Sequence, residues 1–181
     1  GAENISKLIN NFSKNELLLS VAEEYNKKNT SLGFTLAAKM PAIKNNKGSG
    51  EGWHRDGFFR QFKTLLYLSD VGKNNGPFEL IENSHKFEYL IEDIKKGKLE
   101  YSQFRLTDSE IKKILIDQTE RKKTIIGKMG TLILIDTSSL HRGSPIKDST
   151  RYALTNYYYT SNQIDSELYK KFNVVPKKIF R

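Results

Sequence analysis

The feature that most constrains the fold is a series of short apolar segments with strand character, separated by turn residues. Such segments cover residues 61–71, 77–81, 121–127 and 130–136, and a final one, 151–160, is rich in aromatic and β-branched residues, as half-buried strands tend to be. A parallel α/β sheet would need regular alternation of strand and helix, which is missing. The pattern therefore predicts a mainly β protein, a β-sandwich or jelly roll with helices on one side.

The N-terminal part has a helical pattern followed by an extended one. Ser13 or Asn15 is suited to cap a helix that runs to about Lys28. Apolar side chains then alternate with polar or small ones over residues 34–41, which predicts a strand. Residues 44–52, with the sequence KNNKGSGEG, have turn composition and predict a loop.

Two further helices are expected in the middle of the chain, over residues 87–97 and 108–118, the second capped by Thr107 or Asp108. The 181 residues fit a single domain, residues 1–181. We expect a helical N-terminal part over about residues 1–30 and a β core over about residues 32–160.

Residue usage restricts the kinds of active site that are possible. The chain has no cysteine, which excludes disulfides, thiolate zinc sites and cysteine nucleophiles. It has three histidines, so a metal site must combine these with carboxylates. No segment approaches the roughly 20 apolar residues of a membrane span, and the N-terminus lacks the apolar core of a secretory signal. We expect a cytoplasmic protein.

The formal net charge of +9 raises the alternative of a basic, non-enzymatic nucleic-acid-binding protein. The positive charges are scattered along the chain, however, and no predicted element carries a basic stripe interleaved with aromatic residues. A solvated basic surface explains this charge more simply. The expected partner is therefore a small-molecule substrate, and a nucleic acid is the less favoured alternative.

The segment Trp53-His54-Arg55-Asp56-Gly57 suggests a metal site. If it is extended, His54 and Asp56 share one face, because side chains two apart in a strand point the same way. A lone His-X-Asp pair is more often an ordinary surface pair. His141, which follows the strand pattern of residues 130–136 in a turn region, can complete a triad of two histidines and one carboxylate, the set found in non-haem iron(II) oxygenases.

Arg151 follows His141 by ten residues and opens the last predicted strand. A turn containing Gly143 and Pro145 would bring it back beside the metal site. A guanidinium there can pair bidentately with the far carboxylate of a dicarboxylic acid. Alone, Arg151 would be assigned to a surface salt bridge, and the triad makes the binding role the better interpretation.

Several motifs together resemble the phytanoyl-CoA dioxygenase family of iron(II)/2-oxoglutarate oxygenases. They are WHRDG, the segment LLYLSDVGKNNGPFELIENSHKF of residues 65–87, and GTLILIDTSSLHRGSPI of residues 130–146 followed by Arg151. The resemblance covers about residues 53–160, and its strength lies in the combination of motifs. Asn83 stands where the family usually has glycine.

The resemblance implies a double-stranded β-helix, a cupin-like jelly roll with flanking α-helices. It implies an Fe(II)- and 2-oxoglutarate-dependent dioxygenase that uses O2, releases succinate and CO2, and hydroxylates an aliphatic C–H of a small molecule. Related halogenating enzymes lack the carboxylate ligand, so Asp56 favours hydroxylation. The implied residues are the metal ligands and catalytic residues His54, Asp56 and His141, with 2-oxoglutarate bound by Arg151, Lys63, Tyr67 and Thr131. His85 matches a histidine of the family that is not a ligand.

Further residues are weaker candidates. Thr155 lies on the Arg151 face of the last strand, and Arg55, Phe58 and Tyr157 are candidates for substrate contact, the last two equally suited to packing. Only 53 residues precede His54, which leaves open whether the family's substrate-covering region is complete, and the loop over residues 44–52 is expected to act as a partial lid. A cupin-type metal enzyme that does not use 2-oxoglutarate is the remaining alternative.

Overall fold

The computed structural model describes residues 1–160 and 166–172. Within them, nine strands form two antiparallel sheets. The strands are β1 (Thr30–Pro41), β2 (Trp53–His54), β3 (Phe62–Tyr67), β4 (Phe78–Ile81), β5 (Arg105–Leu106), β6 (Lys122–Ile125), β7 (Leu132–Asp136), β8 (His141–Gly143) and β9 (Thr150–Thr160).

The order of the strands is that of a jelly roll. One sheet has the order β1-β9-β3-β7 and the other has the order β5-β2-β8-β4-β6, so neighbours in a sheet are mostly distant in sequence. The longest pairing joins β1 to β9 through eleven residue pairs, from Thr30 opposite Thr160 to Pro41 opposite Thr150. This confirms the predicted jelly-roll class.

In the described part of the chain, five α-helices accompany the sheets. They are α1 (Lys7–Ser13), α2 (Glu16–Asn26), α3 (Phe87–Lys95), α4 (Asp108–Ile114) and α5 (Ser166–Phe172). The helix predicted from Ser13 or Asn15 is α2, and Asn15 caps it by accepting a hydrogen bond from the Leu18 amide. Thr107 caps α4 in a reciprocal capping box with Glu110.

The helices flank both sheets rather than one side. Leu18 and Ala22 of α2 pack with Phe62 and Tyr158 on the outer face of the four-stranded sheet. A second apolar cluster joins α4 to the five-stranded sheet and contains Trp53, Ile81, Leu99, Leu106, Ile111, Ile114, Leu115 and Leu140, with Leu90 and Ile94 of α3 against it. The one-sided arrangement was wrong because Phe62 of β3 and Tyr158 of β9 put large apolar side chains on the outer face of their sheet, and α2 covers them. None of the described helices has both the length and the apolar composition needed to cross a membrane.

The sequence patterns did not predict the short elements α1, α5, β5 and β8. Helix α1 has seven residues, and Ser6 caps it by accepting from the Ile9 amide. Strands β5 and β8 have two and three residues, too few for an alternating pattern. His141, expected in a turn, lies at the start of β8.

Asp136, at the end of β7, holds the turn that leads to β8. Its Oδ1 accepts hydrogen bonds from the Gln61 amide at 3.1 Å and from the Ser138 amide and hydroxyl at 2.9 and 2.6 Å. Its Oδ2 accepts from the Tyr25 hydroxyl of α2 at 2.5 Å. Burial raises the pKa of Asp136, but these hydrogen bonds outweigh it and leave the pKa below its usual value.

Asp136→Asn should therefore lower the free energy of unfolding at pH 7 by about 2 kcal/mol, the scale of hydrogen bonds to a charged group. A carboxyl whose pKa is depressed by folding stabilises the fold above its unfolded pKa, and the stabilisation is lost as the pH falls. Urea unfolding from pH 7 to pH 3 should thus show the two proteins converging towards acid pH. A constant difference at all pH values would contradict this role of the carboxylate.

Candidate metal centre

The two sheets bring the three predicted ligands together. His54 and His141 are opposite each other in the antiparallel pairing of β2 with β8, and their ring centroids are 4.3 Å apart. Asp56 follows β2 and is fixed because its amide donates to the Thr137 carbonyl at 2.9 Å. His54, Asp56 and His141 each offer a ligand atom, and these atoms lie within 4.8 Å of one another.

Hydrogen bonds orient both imidazoles in the same way. His54 Nδ1 lies 2.9 Å from the Gly52 carbonyl oxygen, and His141 Nδ1 lies 2.9 Å from the Ser139 carbonyl oxygen. A carbonyl can only accept, so each Nδ1 carries a proton, and in the neutral imidazole this leaves the lone pair on Nε2. This is the arrangement that prepares histidines for metal binding.

The spacing of the donor atoms fits one cation. His54 Nε2 is 3.7 Å from Asp56 Oδ1, and His141 Nε2 is 3.8 Å from Asp56 Oδ2. Both distances are below about 4.2 Å, twice a typical metal–ligand bond, so one ion can touch both members of each pair. Two imidazoles with one carboxylate form the donor set of non-haem iron(II) sites, and the residues present fit Fe(II).

Charges around the triad favour its metal-binding protonation states. Burial raises the pKa of Asp56, but the charges of Lys63 and His141 and hydrogen bonds from Lys63 and Thr137 outweigh it and lower the pKa to about 2. Burial also lowers the pKa of His141 to about 4, although Asp56 opposes the shift. At neutral pH the site thus has an ionised carboxylate and a neutral His141 imidazole.

Lys63 is a buried cation beside the ligand carboxylate. Its Nζ donates to Asp56 Oδ2 at 2.5 Å and lies 3.8 Å from the centre of the Tyr157 ring. Burial lowers the pKa of Lys63, and the Asp56 charge opposes that shift. Because the carboxylate has two oxygens, Oδ1 is available to a metal while Oδ2 accepts from Lys63.

The triad opens into a cavity of about 240 Å³ between the two sheets. One wall is the inner face of the four-stranded sheet, where alternate residues of β1, β3, β7 and β9 point inwards. The other wall is formed by β2, β4 and β8. The lining residues are Leu36, Ala38, Met40, Ser49, Gly50, His54, Asp56, Lys63, Leu65, Phe78, Ile135, Thr137, His141, Gly143, Arg151, Ala153, Thr155 and Tyr157.

Arg151 is buried in this cavity, with 2% of its surface exposed. Its guanidinium donates to the Gly76 carbonyl, to Met40 Sδ at 3.1 Å and to the Ser49 hydroxyl at 2.7 Å. Its Nε has no hydrogen-bond partner, and among the described residues no carboxylate forms an ion pair with it. The cavity therefore contains a buried positive charge without a counter-charge, which favours an anionic ligand.

Two of the residues expected beside the co-substrate lie outside the cavity lining. The Tyr67 hydroxyl donates to the Ile125 carbonyl and accepts from the Phe78 amide, so it is engaged within the protein. Thr131 precedes β7, and its side chain packs against Gly127. Lys63, in contrast, lines the cavity together with Thr155 and Tyr157. The co-substrate contacts of Lys63, Tyr67 and Thr131 stay predictions.

Of the weaker candidates for substrate contact, two lie outside the cavity lining and one lies in it. Arg55 is buried and donates to the carbonyls of Ser84 and Ser138 at 3.3 and 3.4 Å. Phe58 packs edge-on against Phe104, with ring centroids 4.8 Å apart. Neither is part of the cavity lining, whereas Tyr157 is. His85 bonds through Nδ1 to the Ser139 hydroxyl and is not a member of the triad.

Sequence reasoning missed the contribution of the loop over residues 42–52 beyond a general lid role. Ser49 and Gly50 line the cavity, and Ser49 contacts Arg151 directly. The only signal in the sequence is a serine between two glycines, which predicts a turn and gives no direction for the hydroxyl.

No protein-family model matches the sequence, and no curated protein sequence matches it either. Membership of the phytanoyl-CoA dioxygenase family therefore stays a prediction based on the motifs quoted above.

Solved structures with similar folds were found. EctD from S. alaskensis, crystallised with bound Fe, superposes with a TM-score of 0.66 at 16% identity, covering 90% of this chain and 57% of EctD. HygX from Streptomyces hygroscopicus with iron bound gives 0.60 at 13% identity, covering 95% and 82%. The epimerase SnoN from nogalamycin biosynthesis, which is non-haem and α-ketoglutarate-dependent, gives 0.59 at 14% identity, covering 88% and 59%. This chain thus spans less than two thirds of SnoN and EctD, and it shares with all three proteins the jelly-roll fold.

Proposed function

We propose that the protein is a non-haem Fe(II)- and 2-oxoglutarate-dependent dioxygenase that hydroxylates an aliphatic C–H of a small-molecule substrate and releases succinate and CO2. One observation carries the proposal. A single cavity between the sheets contains both the His54, Asp56 and His141 donor set and the buried, unpaired cation of Arg151.

The fold neighbours support this assignment of ligands. HygX was also crystallised with nickel and 2-oxoglutarate, and SnoN with Fe3+ and α-ketoglutarate. Those ligands belong to HygX and SnoN, and sequence identity of 13–14% shows only the fold of this chain. The donor set and the unpaired arginine are the features of this chain that make the same pair of ligands the best proposal.

Each residue has a physical role in this proposal. His54, Asp56 and His141 would hold the iron, and Arg151 would bind the far carboxylate of 2-oxoglutarate. When bound, these groups supply oxidative decarboxylation coupled to oxidation of a C–H bond by O2. Lys63 holds Oδ2 of Asp56 and so limits how the carboxylate can rotate.

Apolar side chains form much of the remaining cavity wall and limit its hydration. Leu36 and Ala38 of β1, Ile135 of β7 and Ala153 of β9 all face inwards. A poorly hydrated cavity strengthens the pairing of Arg151 with a carboxylate, because charges interact more strongly at low dielectric.

We place the substrate in a second cavity of about 360 Å³ that shares Leu36, Asp56, Lys63 and Tyr157 with the first. Its other described lining residues are Phe34, Gln61, Tyr159 and Phe172. This cavity borders Asp56, and four of its eight described lining residues are aromatic, which suits an apolar portion of a small molecule. Tyr157, a candidate for substrate contact from the sequence, lies between the two cavities.

The direct test is anaerobic addition of 2-oxoglutarate to the iron-loaded protein. A visible charge-transfer band should appear only when iron and 2-oxoglutarate are both present, because chelation of the iron by the keto acid produces it. Succinate release over a library of metabolites, with O2 supplied, would then identify the substrate. Asp56→Ala serves as the metal-site control and should show neither the band nor substrate-dependent succinate. Iron binding without a band would instead support a cupin-type enzyme that does not use 2-oxoglutarate.

A further inference from the structure

The loop between β1 and β2, residues 42–52 and here called the glycine loop, reaches into the co-substrate end of the cavity. Gly48, Gly50 and Gly52 have φ angles of 80°, 78° and 97°, a backbone region that glycine adopts without strain. Asn46 anchors the start of the loop, since its side chain donates to the Ile146 carbonyl and accepts from the Ile146 amide. Ser49 is thereby placed between two glycines at the cavity wall.

Two contacts fix Ser49 against the sheets. Its carbonyl accepts from the Gly143 amide of β8 at 3.1 Å. Its hydroxyl accepts from Arg151 Nη2 at 2.7 Å. A hydroxyl that accepts a hydrogen bond from a guanidinium still has its own proton to donate, and no described residue accepts that proton.

Among the described residues around the cavity, no other hydroxyl is both close to the guanidinium and free to donate. Ala153 lies two residues from Arg151 on the same face and presents only a methyl group. Thr155 is four residues away, about 13 Å along the strand, and is opposite Leu65, next to the Lys63 end. The Tyr67 hydroxyl is engaged by Ile125 and Phe78.

We propose that Ser49 is a positioning residue for the co-substrate: its hydroxyl donates to the distal carboxylate that Arg151 pairs with, and this contact holds the glycine loop over the cavity. This inference rests on the proposed function. Under this proposal, two residues select a dicarboxylic 2-oxo acid: Arg151, on strand β9, and Ser49, on the glycine loop.

Because Ser49 contacts both Arg151 and the bound carboxylate, binding of the co-substrate favours closure of the loop, and closure of the loop favours binding. With the carboxylate present, Ser49 has two partners, Arg151 and the ligand, and the loop is held more firmly. Lys44 and Lys47 are exposed on the same loop. Their susceptibility to trypsin therefore reports on loop opening in solution.

The test uses the full chain loaded with Ni(II), which avoids turnover, and measures binding of 2-oxoglutarate and of 2-oxobutyrate by calorimetry. 2-Oxobutyrate has the same keto-acid end and no distal carboxylate. Ser49→Ala should weaken 2-oxoglutarate binding about tenfold, as expected for one hydrogen bond to a charged group, and leave 2-oxobutyrate binding unchanged. Ser49→Thr, which keeps the hydroxyl, should restore affinity. Ser149→Ala, in an exposed turn of the same chain, should behave as the unmodified protein.

The second readout is the rate of tryptic cleavage after Lys44 and Lys47, followed by mass spectrometry. 2-Oxoglutarate should slow this cleavage in the unmodified protein and in Ser49→Thr, and much less in Ser49→Ala at equal saturation. An unchanged affinity in Ser49→Ala, or an equal loss for both keto acids, would overturn the role of Ser49. If the unmodified Ni(II) protein does not bind 2-oxoglutarate at all, the proposed function itself fails.

Discussion

Replacement of His141 by alanine should abolish binding of a divalent metal ion at the candidate centre. His141 is buried, its Nε2 keeps a free lone pair, and it supplies one of the three donor groups. Loss of even an outer partner of a metal ligand typically costs 10–100-fold in affinity, and loss of a ligand itself should exceed about 100-fold. Calorimetric titration with Ni(II) or anaerobic Fe(II) measures the effect directly.

His85→Ala is the matched control. The His85 ring, like that of His141, hydrogen bonds through Nδ1 to Ser139, in this case to the hydroxyl. Both substitutions thus remove an imidazole and a hydrogen bond to the same residue, but only one removes a member of the triad. Metal affinity should survive in His85→Ala. Similar losses in the two variants would show that the triad is not the metal site.

The closeness of His54 and Asp56 could be predicted because side chains two apart point the same way in an extended segment, although β2 itself ends at His54. Alternation puts residues two apart on one face, and the structure brings His141 directly opposite His54. Arg151 was predictable for a similar reason, since a reversal after β8 returns the chain to the same cavity. In both cases the residues are close along the chain. Asp56 follows His54 by two residues, and Arg151, in the regular strand β9, follows His141 by ten.

The predictions were weaker where a role depends on register or on loop conformation. Tyr67 lies on the same face of β3 as Lys63, where it pairs with Ala153 of β9. Its hydroxyl, however, donates to the Ile125 carbonyl and accepts from the Phe78 amide. Alternation does not determine which residues of a face reach a cavity. Ser49 depends on the backbone of three glycines, and turn composition does not specify the direction of a side chain.

Arg151→Met should separate ligand binding from stability, which makes it the most informative change at the proposed co-substrate site. A bidentate pair with a carboxylate consists of two charge-assisted hydrogen bonds, so its loss should weaken 2-oxoglutarate binding by about 100-fold or more. Calorimetry on the Ni(II)-loaded protein measures this. Methionine keeps much of the aliphatic stem of arginine inside the cavity.

Stability without ligand should respond quite differently. Burial lowers the pKa of Arg151, although the nearby Tyr67 opposes the shift, and Nε has no partner, so the folded protein pays a desolvation cost for this charge. Replacing a poorly compensated buried charge by an apolar side chain is often neutral or stabilising. The free energy of unfolding of Arg151→Met, measured with urea in the absence of ligand, should therefore differ from that of the unmodified protein by less than about 1 kcal/mol.

Arg142→Gln provides the opposite pattern and so the control. Arg142 follows His141 on β8, but its guanidinium donates to Glu79 at 2.7 Å and to Asp108 at 2.8 Å and lies over the Trp53 ring. Its loss leaves Glu79, a mostly buried carboxylate, with only Lys122 as an ion-pair partner among the described residues. Arg142→Gln should thus lower stability by about 1–3 kcal/mol and leave 2-oxoglutarate affinity unchanged. A large loss of stability in Arg151→Met with unchanged affinity would mean that Arg151 is a structural residue, since a ligand-binding arginine without a counter-charge must show the reverse.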